Sequence, residues 1–111
     1  MDELQRAVCQ QYSAPFSNAA DDSICGVAIS TLSLRPLNGL RHPLSADTSG
    51  WYVWGGEFSD RVDFFQPMHT KHFRESCPQI VKFLGLPPGY RFLTHDGQED
   101  VWFDETLLKI D

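Results

Sequence analysis

Apolar positions recur along this chain with different spacings in different segments. Leu4, Ala7 and Val8 stand at i, i+3 and i+4 among good helix formers, with acids at the start where the helix dipole favours them. This spacing predicts a short amphipathic helix over residues 2–11. Residues 13–23 hold Pro15, Asn18 and two Asp and read as a connector. The compact run ICGVAI at 24–29 predicts a buried strand, and the alternation slips near Ser30 and Thr31, where a strand bulges or ends. Residues 35–50 contain two Pro, two Gly and an Asn-Gly pair, which predicts a long, turn-rich loop.

A second strand is expected over residues 51–58. Its two-residue period sends Trp51 and Val53 one way and Tyr52 and Trp54 the other, and Gly55-Gly56 ends it. Residues 59–67 form another loop, with Phe64 and Phe65 tucked beneath the domain. Helical character runs from His69 to about Leu84. Pro78 must break it, either as a kink or at the first turn of a second helix. Gly85 and Pro87-Pro88 stop that helix. Residues 90–93 and 101–103 flank Asp96-Gly97, a strong hairpin signal, and predict an antiparallel pair. Leu107, Leu108 and Ile110 form an apolar tail expected to dock on the core. The order predicts a single α+β domain, a mostly antiparallel sheet with helices packed on it. Residues 1–23 form its N-terminal helix and connector, and residues 24–111 its α+β core.

Composition narrows the function. The 111 residues include 14 Phe, Trp and Tyr, enough for one core, and carry a net charge of −6. That balance lacks the basic field that drives phosphate-backbone binding, so nucleic acid is disfavoured as a ligand. No apolar run is long enough to span a bilayer, and the acidic start lacks the basic, then apolar, pattern of a signal peptide. Three widely spaced cysteines, Cys9, Cys25 and Cys77, form no framework and fit free thiols in a reducing cytoplasm.

Several side chains could carry chemistry. His69 and His72, at i and i+3, could share a helix face and hold a metal with Asp63 or Glu75, but this lacks any established zinc-site spacing. Nucleotide-binding loops and nucleophile elbows are absent, and no cofactor is expected. Arg41 and His42 could clamp an anion, while the simpler reading pairs Arg41 with an acid that pins the loop. Tyr52 and Trp54 leave one aromatic face either covered or available as a binding hot spot. Residues 95–111 concentrate six acids against Lys109 alone. Alternation there puts Asp100, Trp102 and Asp104 on one face, with Glu105 beside them: an aromatic anchor among carboxylates.

Five short runs add a resemblance: PLNGLRHP at 36–43 followed by GWYVW at 50–54, DFFQP at 63–67, LGLPPG at 84–89 with Arg91-Phe92, and DVWFDE at 100–105. In this order they resemble the immunity-protein-33-like domain over about residues 26–108, leaving the N-terminal helix outside. The resemblance implies a bacterial, cytoplasmic α+β protein that neutralises a toxin by binding it, and it transfers no catalytic residues. The leading expectation is therefore a non-enzymatic binder of a protein toxin, with Asp100, Trp102, Asp104 and Glu105 as contacts and Tyr52 and Trp54 second. Two rivals are a small-ligand module lined by the aromatic strand, and an enzyme using Arg41 and His42 with a His69/His72 metal site.

Overall fold

The computed structural model describes residues 2–109 of the chain, so the expected docking of Ile110 lies outside the described residues. Helix α1 (Asp2–Gln11) ends before a connector that delivers the chain to strand β1 (Ile24–Val27). Strands β2 (Leu37–Arg41), β3 (Thr48–Gly55) and β4 (Gln66–His69) follow. A helical region then runs from a 3-10 turn at Thr70–His72 through α2 (Phe73–Ser76) to a 3-10 segment at Pro78–Phe83. The hairpin of β5 (Tyr90–His95) and β6 (Gln98–Phe103) and a last 3-10 turn, Glu105–Leu108, complete the domain.

All six strands form one sheet in the order β4-β1-β3-β2-β5-β6, and only the β1–β3 pair is parallel. The α+β, mostly antiparallel reading is therefore correct. One face of the sheet carries the helical layer. Val8 and Cys9 of α1, Phe73 of α2, and Ile80, Val81, Phe83 and Leu84 pack against Cys25, Val27, Leu37, Trp51, Val53 and Phe92. Phe83 stacks on Phe92 with 4.5 Å between ring centroids, and Trp51 Nε1–H donates to Leu84 O at 3.0 Å. Burial of these large apolar side chains is the main force holding the sheet to its helices.

The helical break falls at Pro78, as its missing N–H requires, and Pro78 starts the following segment. Much of this region is 3-10 rather than α-helix. Asp96 and Gly97 both have positive φ, which makes the β5–β6 connection a two-residue turn of the twist-matched type.

Three expectations need correction. The long loop assigned to residues 35–50 contains strand β2, the central bridge between β3 and β5. The Asn-Gly pair does not turn there. A Cβ on Gly39 would lie 2.1 Å from Phe92 Cε2, so this glycine makes room for a core ring. The strand expected over 24–29 ends at Val27, and Ile29–Thr31 is a 3-10 turn. Strand β4 occupies the junction of the loop expected over 59–67 and the helix expected from His69.

Candidate partner-binding face

The two-residue strand period sends every second side chain away from the helical layer. Register then aligns Pro67, Gly26, Tyr52, Leu40, Arg91 and Trp102 in one row across all six strands. An adjacent row runs through Trp54, Asn38, Leu93 and Asp100. Tyr52, Trp54, Asp100 and Trp102, separated by up to 50 positions in sequence, thus share the face opposite the helices. Tyr52 is 37% exposed and Trp102 40%.

Trp54 is only 4% exposed. Phe58 and Phe65, from the loop that follows β3, approach its ring edge-to-face at 5.4 and 6.0 Å. The loop answers the question that the aromatic alternation posed: it covers Trp54 and leaves Tyr52 at its margin. Trp54 is a floor beneath the surface, not a group that a partner could touch.

Arg91 sits between Leu40 and Trp102 in the exposed row. Its guanidinium carbon lies 5.5 Å from the Trp102 ring centroid, and its Nη1 donates to Asp104 Oδ2 at 3.3 Å. Arg91 Nε is buried without a partner among the described residues. Asp104 caps the last 3-10 turn, where its carboxylate accepts from Thr106 N at 3.1 Å. The Thr106 hydroxyl, the Thr106 amide and Arg91 hold the Asp104 carboxyl below the ordinary carboxylate range, against partial desolvation. Asp104 therefore has intramolecular tasks, whereas Asp100 and Glu105 are exposed.

A cleft of about 450 Å³ opens beside Tyr52, lined also by Ile24, His42, Pro43, Phe65 and Gln66. A smaller hollow of about 200 Å³ lies between Leu40, His42, Tyr52, Phe58 and Phe65. His42 and Phe65 meet the Tyr52 ring edge-to-face at 5.5 and 5.1 Å, and His42 Nδ1–H donates to Leu107 O at 2.9 Å.

Arg41 turns away from this cleft. Neighbouring residues at the end of a strand point to opposite faces, so His42 faces outwards and Arg41 is fully buried on the helical side. Its guanidinium donates to the carbonyls of Ser17 (2.7 Å), Ser49 (2.8 Å), Leu86 (2.8 Å) and Asn18 (3.2 Å), with a longer contact to Leu84 (3.5 Å). Burial lowers its pKa to about 10, which still leaves it cationic at neutral pH. Arg41 and His42 do not converge on an anion, and carbonyls rather than a carboxylate hold Arg41. They tie the connector, β3 at Ser49 and the chain after the helical layer to one side chain.

His69 and His72 are exposed, with ring centroids 6.0 Å apart. Among the described residues, no group of three or more His, Cys, Asp and Glu side chains could hold a metal ion. All three cysteines are buried and free. Cys25 Sγ shares hydrogen bonds with Ser49 Oγ (3.1 Å) and Thr70 Oγ1 (3.2 Å), and burial pushes its thiol pKa up. That chemistry suits packing, not nucleophilic attack.

Sequence reasoning missed Leu40 and Arg91 as members of the outer face. Leu40 was hidden by the apparent loop, and Arg91 by the lack of any register linking it to Trp102. The Imm33-like domain model matches residues 4–104. The match begins inside α1, so the N-terminal helix that the short motifs left outside is part of it. No curated protein and no solved structure matches the chain.

Proposed function

The chain belongs to the Imm33-like domain family, and on that premise we propose that it is an immunity-type protein that neutralises a bacterial toxin by binding it directly. The contact surface in this reading is the sheet face opposite the helices. Tyr52, Leu40 and Trp102 supply its apolar anchors, and Asp100, Asp104 and Glu105 its acidic side. One observation carries the reading: the cross-strand row from Tyr52 through Leu40 and Arg91 to Trp102. It gathers exposed aromatic groups on a face that no helix covers, flanked by carboxylates. Trp, Tyr and Arg are the residue types enriched at protein-binding hot spots, and a polar, charged rim commonly surrounds them. A net charge of −6 favours fast, oriented encounter with a basic partner surface. The action is occlusion rather than catalysis, and the cytoplasm is its proposed compartment. No helix among the described residues is long and apolar enough to cross a membrane.

The test is growth rescue. A protein captured by this chain from its native cell is expressed alone and then together with the chain. The reading expects the captured protein to arrest growth and co-expression to restore it. Captured proteins that never impair growth overturn it.

The cleft beside Tyr52 supports a second reading, a small-ligand module. A thermal shift with small metabolites favours that reading, provided that filling the cleft does not depend on a protein partner.

A further inference from the structure

The sheet has two edges, and they differ. Strand β4 is four residues long and contains Pro67, which lacks an N–H. Strand β6 is six residues long, has no Pro or Gly, and pairs with β5 alone. The two-residue turn at Asp96-Gly97 makes His95 and Gln98 the first hydrogen-bonded pair of the hairpin, and pairing then alternates along the ladder. Gln98, Asp100 and Trp102 therefore direct their backbone groups inwards to β5. The bond from Asp104 N–H to Gly89 O continues the same alternation.

Glu99, Val101 and Phe103 consequently direct their backbone N–H and C=O groups outwards, and no hydrogen bond among the described residues uses them. An unused row of this kind is a template for another strand. Trp102 and Phe103, 40% and 50% exposed, flank it on opposite faces of β6. A strand laid alongside would cover both rings.

Charge selects the occupant. Asp100 lies at one end of the edge beside Glu99, which pairs with Lys82. Glu105 lies at the other beside Asp104, which pairs with Arg91. Asp100 and Glu105 therefore carry the charge a partner would meet. A second copy of β6 paired antiparallel brings these two acidic ends against each other, and like charges across a ladder are unfavourable. A basic strand meets carboxylates at both ends instead.

We infer that β6 is a strand-addition site that takes an extended, basic segment of a partner protein into the sheet through the backbone groups of Glu99, Val101 and Phe103. This inference rests on the proposed toxin-binding role and gives it a mode of docking.

Amide hydrogen exchange on the full chain tests it, using a capped seven-residue peptide of alternating lysine and valine as the probe. A second peptide of the same sequence, N-methylated at every residue, keeps the charge and loses every donor. The expected result is that the first peptide slows exchange at Glu99, Val101 and Phe103 at least about tenfold. Asp100 and Trp102 should be protected throughout, and the methylated peptide should bind at least about tenfold more weakly. Equal binding of both peptides overturns the inference, because attraction is then charge alone. Absence of binding overturns it as well. Protection of the three outer amides in the free protein, with a dimer in sedimentation, assigns the edge to a second copy and also overturns it. None of these outcomes touches growth rescue, so failure here is distinguishable from failure of the toxin-binding reading.

Discussion

The ring of Tyr52 lies directly over Gly26 across the parallel β1–β3 pair. A Cβ at Gly26 would come within 2.6 Å of Tyr52 Cδ2 and Cε2. With His42 and Phe65 against its other edges, the ring is held at the margin of the cleft. Gly26→Ala must therefore displace it. The expected cost is about 1–3 kcal/mol of stability, the range for overpacking, with the chemical shifts of Tyr52 and Phe65 moved and partner affinity reduced. Urea unfolding and two-dimensional NMR read both effects. Unmoved Tyr52 resonances would show that the glycine is not what seats the ring.

Arg41 is the strongest single fastener in the fold. Arg41→Met has a similar length but no donors, and it leaves the buried Ser49 and Leu86 carbonyls and the part-buried Ser17 carbonyl without this partner. Each such loss costs about 1–3 kcal/mol, so a total above about 3 kcal/mol is expected in denaturant unfolding. Arg41→Lys should recover only part of it, since one ammonium cannot reproduce the planar fork that spans these carbonyls. A loss below about 1 kcal/mol for the Met variant contradicts this role.

The thiols set an alkaline limit. Burial pushes the pKa values of Cys9, Cys25 and Cys77 above the ordinary 9.0. Above pH 9.0 the unfolded chain releases thiol protons that the folded chain retains, so stability falls as pH rises. Arg41, whose folded pKa is lowered to about 10, contributes in the opposite sense only above that value. The urea midpoint should therefore decline between pH 9.0 and about 10. Cys25→Ser preserves a hydroxyl for Ser49 and Thr70 and should flatten part of the decline. An aromatic disulfide reagent should label the native protein far more slowly than the unfolded one. Rapid labelling of three thiols in the folded state contradicts their burial.

Asp104 should titrate lower than a free carboxylate, and the Thr106 hydroxyl is the largest cause. A carboxyl with a depressed folded pKa contributes stability above its unfolded pKa, near 3.8, and loses it as pH falls through the folded value. Carbon-detected NMR on Thr106→Ala should move the Asp104 midpoint upwards, towards the ordinary value. An unchanged midpoint removes Thr106 as the cause. The same contacts make Asp104 a poor probe of partner binding, because its replacement also uncaps the last 3-10 turn.

Local signals explain which parts of this fold could be read in the sequence. Helix α1, strand β3 and the β5–β6 hairpin each announce themselves within a dozen residues, through helical spacing, alternation and Asp-Gly. Strand β2 does not. Its Gly39 looks like half of a turn because the reason for it, the Phe92 ring, lies 53 positions away. Strand β4 was divided between a loop and a helix, since Pro67 is tolerated only because β4 is an edge. The shared face of Tyr52 and Trp102 follows from register through β2 and β5, which periodicity within either segment cannot supply. Alternation did place Asp100 and Trp102 together. It could not show that Phe58 and Phe65 cover Trp54, or that Arg41 faces the helices while His42 faces the cleft.

Titration calorimetry with the captured partner protein, comparing substitutions on the two faces of the molecule, distinguishes the sheet face from the helical side as the contact surface. The pair Trp102→Ala with Asp100→Lys alters the sheet face without touching the Asp104 cap. The pair Gln10→Ala with Gln79→Ala alters exposed positions on the helical side. The first pair is expected to weaken binding more than about tenfold, a loss of about 1.4 kcal/mol or more, with the unfolding midpoint nearly unchanged. The second pair should bind as the unsubstituted chain does. Equal affinity for the sheet-face pair, or a loss confined to the helical-side pair, would place the contact surface elsewhere on the molecule.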